Sequence, residues 1–195
     1  MISTLTRKHS FDLVFDSQKM FRLILEALAN PTRVVSIYDC ARTLFGDHPA
    51  FLAIALTLLD NEVSFNTCEH QALSAEITSL TLTNRARLES ADFVFVSNPN
   101  RIKEVIKNVK HGTLSDPHKS ATVIIRNDDE PNHLLTLKGP GIDGSVEVLV
   151  SRIVADTIQY RNEQYYEYPQ GIDLFFVSSA GELLAIPRLV SLAVR

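Results

Sequence analysis

Met20, Phe21, Ile24, Leu25 and Leu28 recur at helical spacing, with Lys19, Arg22 and Glu26 elsewhere on the wheel. Asp16 and Ser17 stand before them as candidate N-caps, and Asn30-Pro31 marks the stop. β-Branched residues in Arg33–Ile37 then read as a short strand. Ala50–Leu59 follows Pro49 and is apolar nearly all round, which predicts a helix buried on several sides. Val63–Thr67 reads as a strand, and Ala72, Leu73, Ile77 and Leu80 give a helix over His70–Leu80. Phe93–Val96 is a compact strand, and Arg101–Lys110 is an amphipathic helix ended at Gly112. Thr122–Ile125 and Leu134–Leu137 read as strands joined by a dense turn over Asn127–Asn132. Ser145–Val150 looks extended and Arg152–Asn162 helical. Gly171–Val177 and Leu183–Ile186 form a hairpin around Ser178–Gly181. Helices alternate with strands, and hairpins concentrate late. The pattern predicts one α/β domain over residues 1–195, a mixed sheet flanked by helices, parallel early and antiparallel late.

Composition narrows the function classes more than it alters the fold. The net charge of −4 argues against a dedicated nucleic-acid binder. Cys40 and Cys68 are too few for a zinc motif, and two reduced thiols suit a cytoplasmic protein. Met1–Met20 has no continuous apolar stretch and carries Asp12 and Asp16, unlike a signal peptide. The longest apolar run, Ala50–Leu59 with Thr57 inside it, falls well short of the ~20 residues of a membrane span. A soluble cytoplasmic protein without membrane or nucleic-acid partners is expected.

Candidate chemistry is sparse. Gly139-Pro140-Gly141-Ile142-Asp143-Gly144 fits the pattern GxGxxG, but no helix is expected after it, so a tight turn is the plainer reading. Lys103, Lys107 and Lys110 would share one face of their helix, either solvated or turned to an anionic partner. His111 and His118 flank a polar loop with Thr113, Ser115, Asp116 and Lys119, whose hydroxyls and cations would suit a phosphonate or phosphate oxyanion. No pair of histidines has metal-ligand spacing, so no metal is expected. The end of the chain, Leu183–Val194, is too apolar for a free tail and should pack into the sheet or across a dimer. Arg188 in it would either pair with Asp173 or face an anion.

Several segments, in order, resemble one family. They are Phe21-Arg22 with Ala27–Pro31, then Leu56–Asp60, then Gly112-Thr113 with Pro117 and Ala121–Ile124. Leu137–Ile142 follows, then Tyr168–Phe176 and Leu183–Arg188. The match runs from about Phe11 to Arg188 and is similar to the H subunit of the bacterial carbon–phosphorus lyase complex. Thr32 departs from it, standing where glycine usually follows the proline. The resemblance implies a reduced pyridoxal-phosphate-dependent transferase fold that has lost its cofactor site, so no pyridoxal phosphate is expected. It implies a homodimer built into a core with G, I and J subunits. That core is associated with forming α-D-ribose 1-methylphosphonate 5-triphosphate from MgATP and a phosphonate. Arg22, Pro31, Asp60, Gly139, Gly141, Gly171, Asp173 and Pro187 are the motif positions, expected to be structural. Thr113, His118, Lys119 and Arg188 are the candidate anion contacts. A stand-alone phosphate-ester-binding enzyme using the same loop and Arg188 is the alternative.

Overall fold

Strict alternation in the central strands decides the architecture. The computed structural model describes residues 9–193. Its main sheet has seven strands in the order β1-β9-β8-β5-β4-β2-β3. The parallel part comprises β3 (Asn84–Arg85), β2 (Ser64–Asn66), β4 (Phe93–Val96), β5 (Thr122–Arg126) and β8 (Asp173–Val177). On its far edge β9 (Glu182–Ile186) and β1 (Val35–Ser36) add antiparallel. Phe95, Ile124, Phe175, Val177, Leu183 and Ala185 point to one face. Val94, Val96, Val123, Ile125, Leu174, Phe176, Leu184 and Ile186 point to the other. A period of two thus supplies both cores from the same strands. The expected mixed sheet is present.

On the first face lie α1 (Phe15–Ala29), the single turn α2 (Tyr38–Ala41), α3 (Pro49–Leu58) and α4 (Gln71–Thr81). As its composition predicts, α3 is buried continuously from Ala50 to Ala55, and Phe51 meets Phe95 edge-on with ring centroids 5.5 Å apart. On the second face lie α5 (Ile102–Asn108), α6 (Arg152–Asn162) and a three-stranded sheet in the order β10-β6-β7. That small sheet comprises β10 (Ser191–Leu192), β6 (His133–Lys138) and β7 (Val146–Val150).

Four expectations need correction. The first is the cap of α1. Asp12, not Asp16 or Ser17, caps the helix, its Oδ1 accepting from Val14 N (2.8 Å) and Phe15 N (2.9 Å). Asp16 answers by accepting from Asp12 N at 2.9 Å, so the helix starts earlier than the first obvious cap residue. The second is the pairing of Leu134–Leu137. Both edges of β5 are taken by β4 and β8, so β6 finds its partner in β7. The glycine segment 139–144 is the connection of that hairpin, not a nucleotide loop. The third is the extent of the first short strand: β1 keeps only Val35–Ser36, because Ile37 already caps α2. The fourth is the lysine face. α5 stops at Asn108, and Lys110 turns away to Asp92 at 2.5 Å while Lys103 sits over the Tyr160 ring.

The apolar end of the chain does pack. β10 adds antiparallel to β6, and Val190 before it is fully buried. Burial of one such aliphatic side chain contributes roughly 1.5–3 kcal/mol. Val194, part of the same expected run, lies outside the described residues, as do Met1–Lys8. Gly139 makes the close approach possible: with φ +143°, a Cβ there would stand 2.7 Å from Leu189 O and 2.8 Å from Val190 Cα. No helix among the described residues is long and apolar enough to cross a membrane.

Candidate functional site

The sequence candidates gather at the amino ends of the parallel strands. The loop 112–119 precedes β5, Asp173 opens β8, and Arg188 follows the end of β9. Arg188 is committed internally. Its Nη2 lies 2.5 Å from Asp173 Oδ2, its Nε and its backbone N–H donate to Asp173 Oδ1, and its Nη1 donates to Pro117 O. Gln170 Nε2 donates to Gly112 O and Gly171 N donates to His111 O, so the loop is tied to the segment before β8. Within the loop Thr113 Oγ1 accepts from Asp116 N. His118 and Lys119 are exposed beside Asp116, at 4.0 and 3.4 Å. The four candidate anion contacts are therefore neighbours, with the half-buried cation among them, Arg188, already paired.

Three of the motif positions, Gly141, Asp173 and Pro187, meet nearby, and Arg22 and Asp60 do not join them. Leu28, Ala29, Pro140, Gly141, Asp173, Pro187, Arg188 and Leu189 line an open depression of ≈ 380 Å³. Gly141 faces Ala29 O and the Pro31 ring, and Gly171 faces the Arg188 backbone. Arg22 is exposed on α1, and Asp60 ends α3 by accepting from Glu62 N. Leu28 in its wall shares a side of α1 with exposed apolar residues: Phe21 and Leu25 are 47% and 48% exposed, and Val14 just before the helix is 70% exposed. Such a stripe beside the buried Met20, Ile24 and Ala27 widens the apolar face of α1 beyond what the core covers, as in a helix that meets a second partner.

Nothing in the hydrophobic pattern signals the half-open space at the other end of the sheet. Open α/β sheets hold ligands in the crevice beyond the carboxyl ends of their strands. There, past Arg126 of β5 and Val177 of β8, lies a cavity of ≈ 300 Å³. It is walled by the 127–131 loop, the Ser178–Ala180 turn, the end of β7 and the first turn of α6. Ser151 caps α6, accepting from Val154 N, and its hydroxyl donates to Asn127 Oδ1 at 2.6 Å. Asp128, Asp129, Glu130 and Glu182 also line the space, and among the described residues no lysine or arginine does. Burial works to raise the Asp128 carboxyl, but the Ser179 N–H and the Arg126 guanidinium outweigh it and hold it low.

A second, ≈ 30 Å³ hollow adjoins it through Ser178 and Ser179 and is lined by His48, Ala50, Phe51 and Arg126. His48 Nε2 is 3.4 Å from His70 Nε2. His70 Nδ1 accepts from Leu73 N, so its proton sits on Nε2 and points at His48. The pair is a hydrogen bond and the cap of α4, not half of a metal site. Among the described residues no group of three or more His, Cys, Asp or Glu could hold a metal ion.

Arg161 is the other residue that pattern reading passed over. It is 2% exposed, and its guanidinium donates to Ile172 O, Ile186 O, Pro187 O and Val190 O. Burial lowers its pKa to about 10, so it stays charged at neutral pH. It joins α6, the start of β8 and the strap that leads to β10. Cys68 is half-buried and its thiol is pushed up to about 11 by burial. Cys40 is buried and raised likewise, and neither is a nucleophile at neutral pH.

An α/β protein with a groove of motif residues, an uncovered helix face and a separate acidic cavity is built like a component that meets other proteins. The model of the family described as bacterial phosphonate metabolism protein (PhnH) matches residues 9–193, and the chain belongs to that family. It is also 32% identical over 173 residues to a Stutzerimonas stutzeri protein described as a putative C-P lyase subunit, HtxG. That match covers 88% of this chain and 83% of the relative.

Proposed function

We propose that this protein is a subunit of a bacterial carbon–phosphorus lyase, working through assembly and the shaping of a shared site. In that role it assists formation of α-D-ribose 1-methylphosphonate 5-triphosphate from MgATP and a phosphonate, in the cytoplasm, beside G, I and J subunits. The observation that carries the reading is that three motif positions, Gly141, Asp173 and Pro187, meet on an open groove whose wall residue Leu28 continues into the exposed apolar stripe of α1. A catalytic set would be expected to converge on an enclosed space instead. The stripe supports a homodimer through α1, and Leu25→Glu should then shift the sedimenting species towards monomer.

The stand-alone enzyme reading is disfavoured by Arg188, whose guanidinium is engaged by Asp173 and Pro117 O. A reduced pyridoxal-phosphate-transferase scaffold remains part of the proposal. The residues present do not fit the cofactor, however. Among the described residues no lysine lines the ≈ 300 Å³ cavity, and its carboxylates would repel the cofactor's phosphate. Deletion tests the function: growth on an alkylphosphonate as sole phosphorus source should fail while growth on inorganic phosphate persists. Unimpaired growth on the phosphonate, with no second copy in the genome, would overturn it.

A further inference from the structure

We propose that the edge of β7 takes up an extended segment of a different polypeptide as a fourth strand of the small sheet, with a lysine or arginine of that segment over the acidic cavity. The fit rests on geometry; that the segment comes from a partner subunit rests on the assembly reading. The two sheets present four edges among the described residues, and three of them, β1, β3 and β10, are two residues long. A short edge is one of the ways in which sheets avoid pairing with other chains. β7 instead runs five residues, Val146–Val150, with neither proline nor lysine, and among the described residues only β6 pairs with it. Its outward face carries Leu149 opposite Leu134, 56% and 58% exposed.

The open side of β7 borders the ≈ 300 Å³ cavity, which Val148, Leu149 and Val150 all line. Successive side chains of a strand point to opposite faces, so three in a row can border one space only along the strand's edge. Across the space stand Phe176 of β8 and Leu184 of β9, an apolar wall for an inward side chain. Asp128 is held by Arg126 and the Ser179 N–H, but Asp129, Glu130 and Glu182 pair with no cation among the described residues. Edge, apolar wall and carboxylates together specify a strand with an apolar residue and, two positions on, a cation on the same face. A second copy does not supply this, because the one charge in its own β7 is the carboxylate of Glu147.

Fluorescence anisotropy of the full chain tests this with a labelled hexapeptide, threonine-valine-threonine-lysine-threonine-lysine, and three relatives. One carries glutamate for both lysines, and two are the lysine peptide N-methylated at one or the other alternate set of amides. The lysine peptide should bind at least about tenfold more tightly than the glutamate peptide. One methylated form should bind at least about tenfold more weakly and the other within about threefold, since only one set of amides faces β7. In Asp129→Asn/Glu130→Gln, on an exposed loop, the preference for lysine should fall below about threefold. Equal binding of the lysine and glutamate peptides, the same response to both methylations, an unchanged preference in the double variant, or no saturable binding below about 1 mM would overturn the proposal. A dimer that the lysine peptide dissociates would give the edge to a second copy and overturn the partner assigned. If the chain joins the lyase subunits but takes up no peptide, the strand proposal alone is lost. If it takes up the peptide but joins nothing, the assembly reading is lost.

Discussion

Replacing Arg161 by methionine should loosen the C-terminal strap before it harms anything else. Hydrogen bonds to a charged donor contribute roughly 1.5–3 kcal/mol each, and Arg161 turns Nη1 and Nη2 to four carbonyls, three of which share the two hydrogens of Nη1. Against that stands the cost of burying the guanidinium, of several kcal/mol, with no carboxylate in contact. Methionine recovers the packing of the stem but removes this donor from the carbonyls of Ile172, Ile186 and Val190, while Pro187 O keeps the Val190 N–H. The expected net loss is about 3–5 kcal/mol, or about 6–20 °C in Tm for a chain of this size. Urea unfolding gives the first number, and amide exchange gives the location. Val190–Leu192 should exchange much faster in the variant while β4 and β5 stay protected. Arg161→Lys keeps the charge but not the fork, and should fall between the two. A methionine variant within about 1 kcal/mol of the wild type, with an unchanged strap, would refute the reasoning.

Other consequences are as concrete. His48 is held below the usual imidazole range by burial first, then by His70 and Arg126, against the opposing carboxylates of Asp47 and Asp128. A base depressed in the folded state gives stability that is full above its unfolded pKa, roughly 6.5, and falls as pH drops below it. Stability should therefore decline between about pH 7 and pH 5, and His48→Phe should flatten that decline in a urea series; parallel curves count against it. Gly139→Ala forces a Cβ onto Leu189 O and should cost about 2 kcal/mol or more, against about 1 for Gly144→Ala, where nothing lies within 4 Å. Equal losses would show that the strap approach is unimportant. Purified protein should lack an absorption band that borohydride removes; such a band would mean that pyridoxal phosphate is held after all.

Much of the fold is legible because the central strands are short, unbroken apolar runs bounded by turn residues. Phe93–Val96, Thr122–Ile125 and Leu183–Ile186 show it, and α3 is legible from an unbroken apolar run. Which strand neighbours which is less so. The pattern in Thr122–Ile125 names two buried faces, and it takes the occupied edges of β5 to exclude Leu134–Leu137 as its partner. The Arg188–Asp173 pair was readable, since both lie beside the late hairpin. Arg161 could have been found, because it falls seven residues after Val154, on the buried stripe of α6, where a charge is out of place. The His70 cap had no such signal, as histidine is not a usual N-cap. The carboxyl-end cavity was hidden because segments far apart in the sequence build it, and Asn127–Pro131 alone reads only as a turn.

The central claim is that this chain acts within an assembly, and affinity purification from phosphonate-grown cells tests it most directly. An N-terminally tagged chain should bring down the other carbon–phosphorus lyase subunits in fixed stoichiometry. Phe21→Glu/Leu25→Glu, on the bare face of α1, should reduce that recovery or release the second copy without unfolding the chain. Recovery of the wild-type chain alone, as a monomer, from cells in which it still supports growth on the phosphonate, would contradict the account.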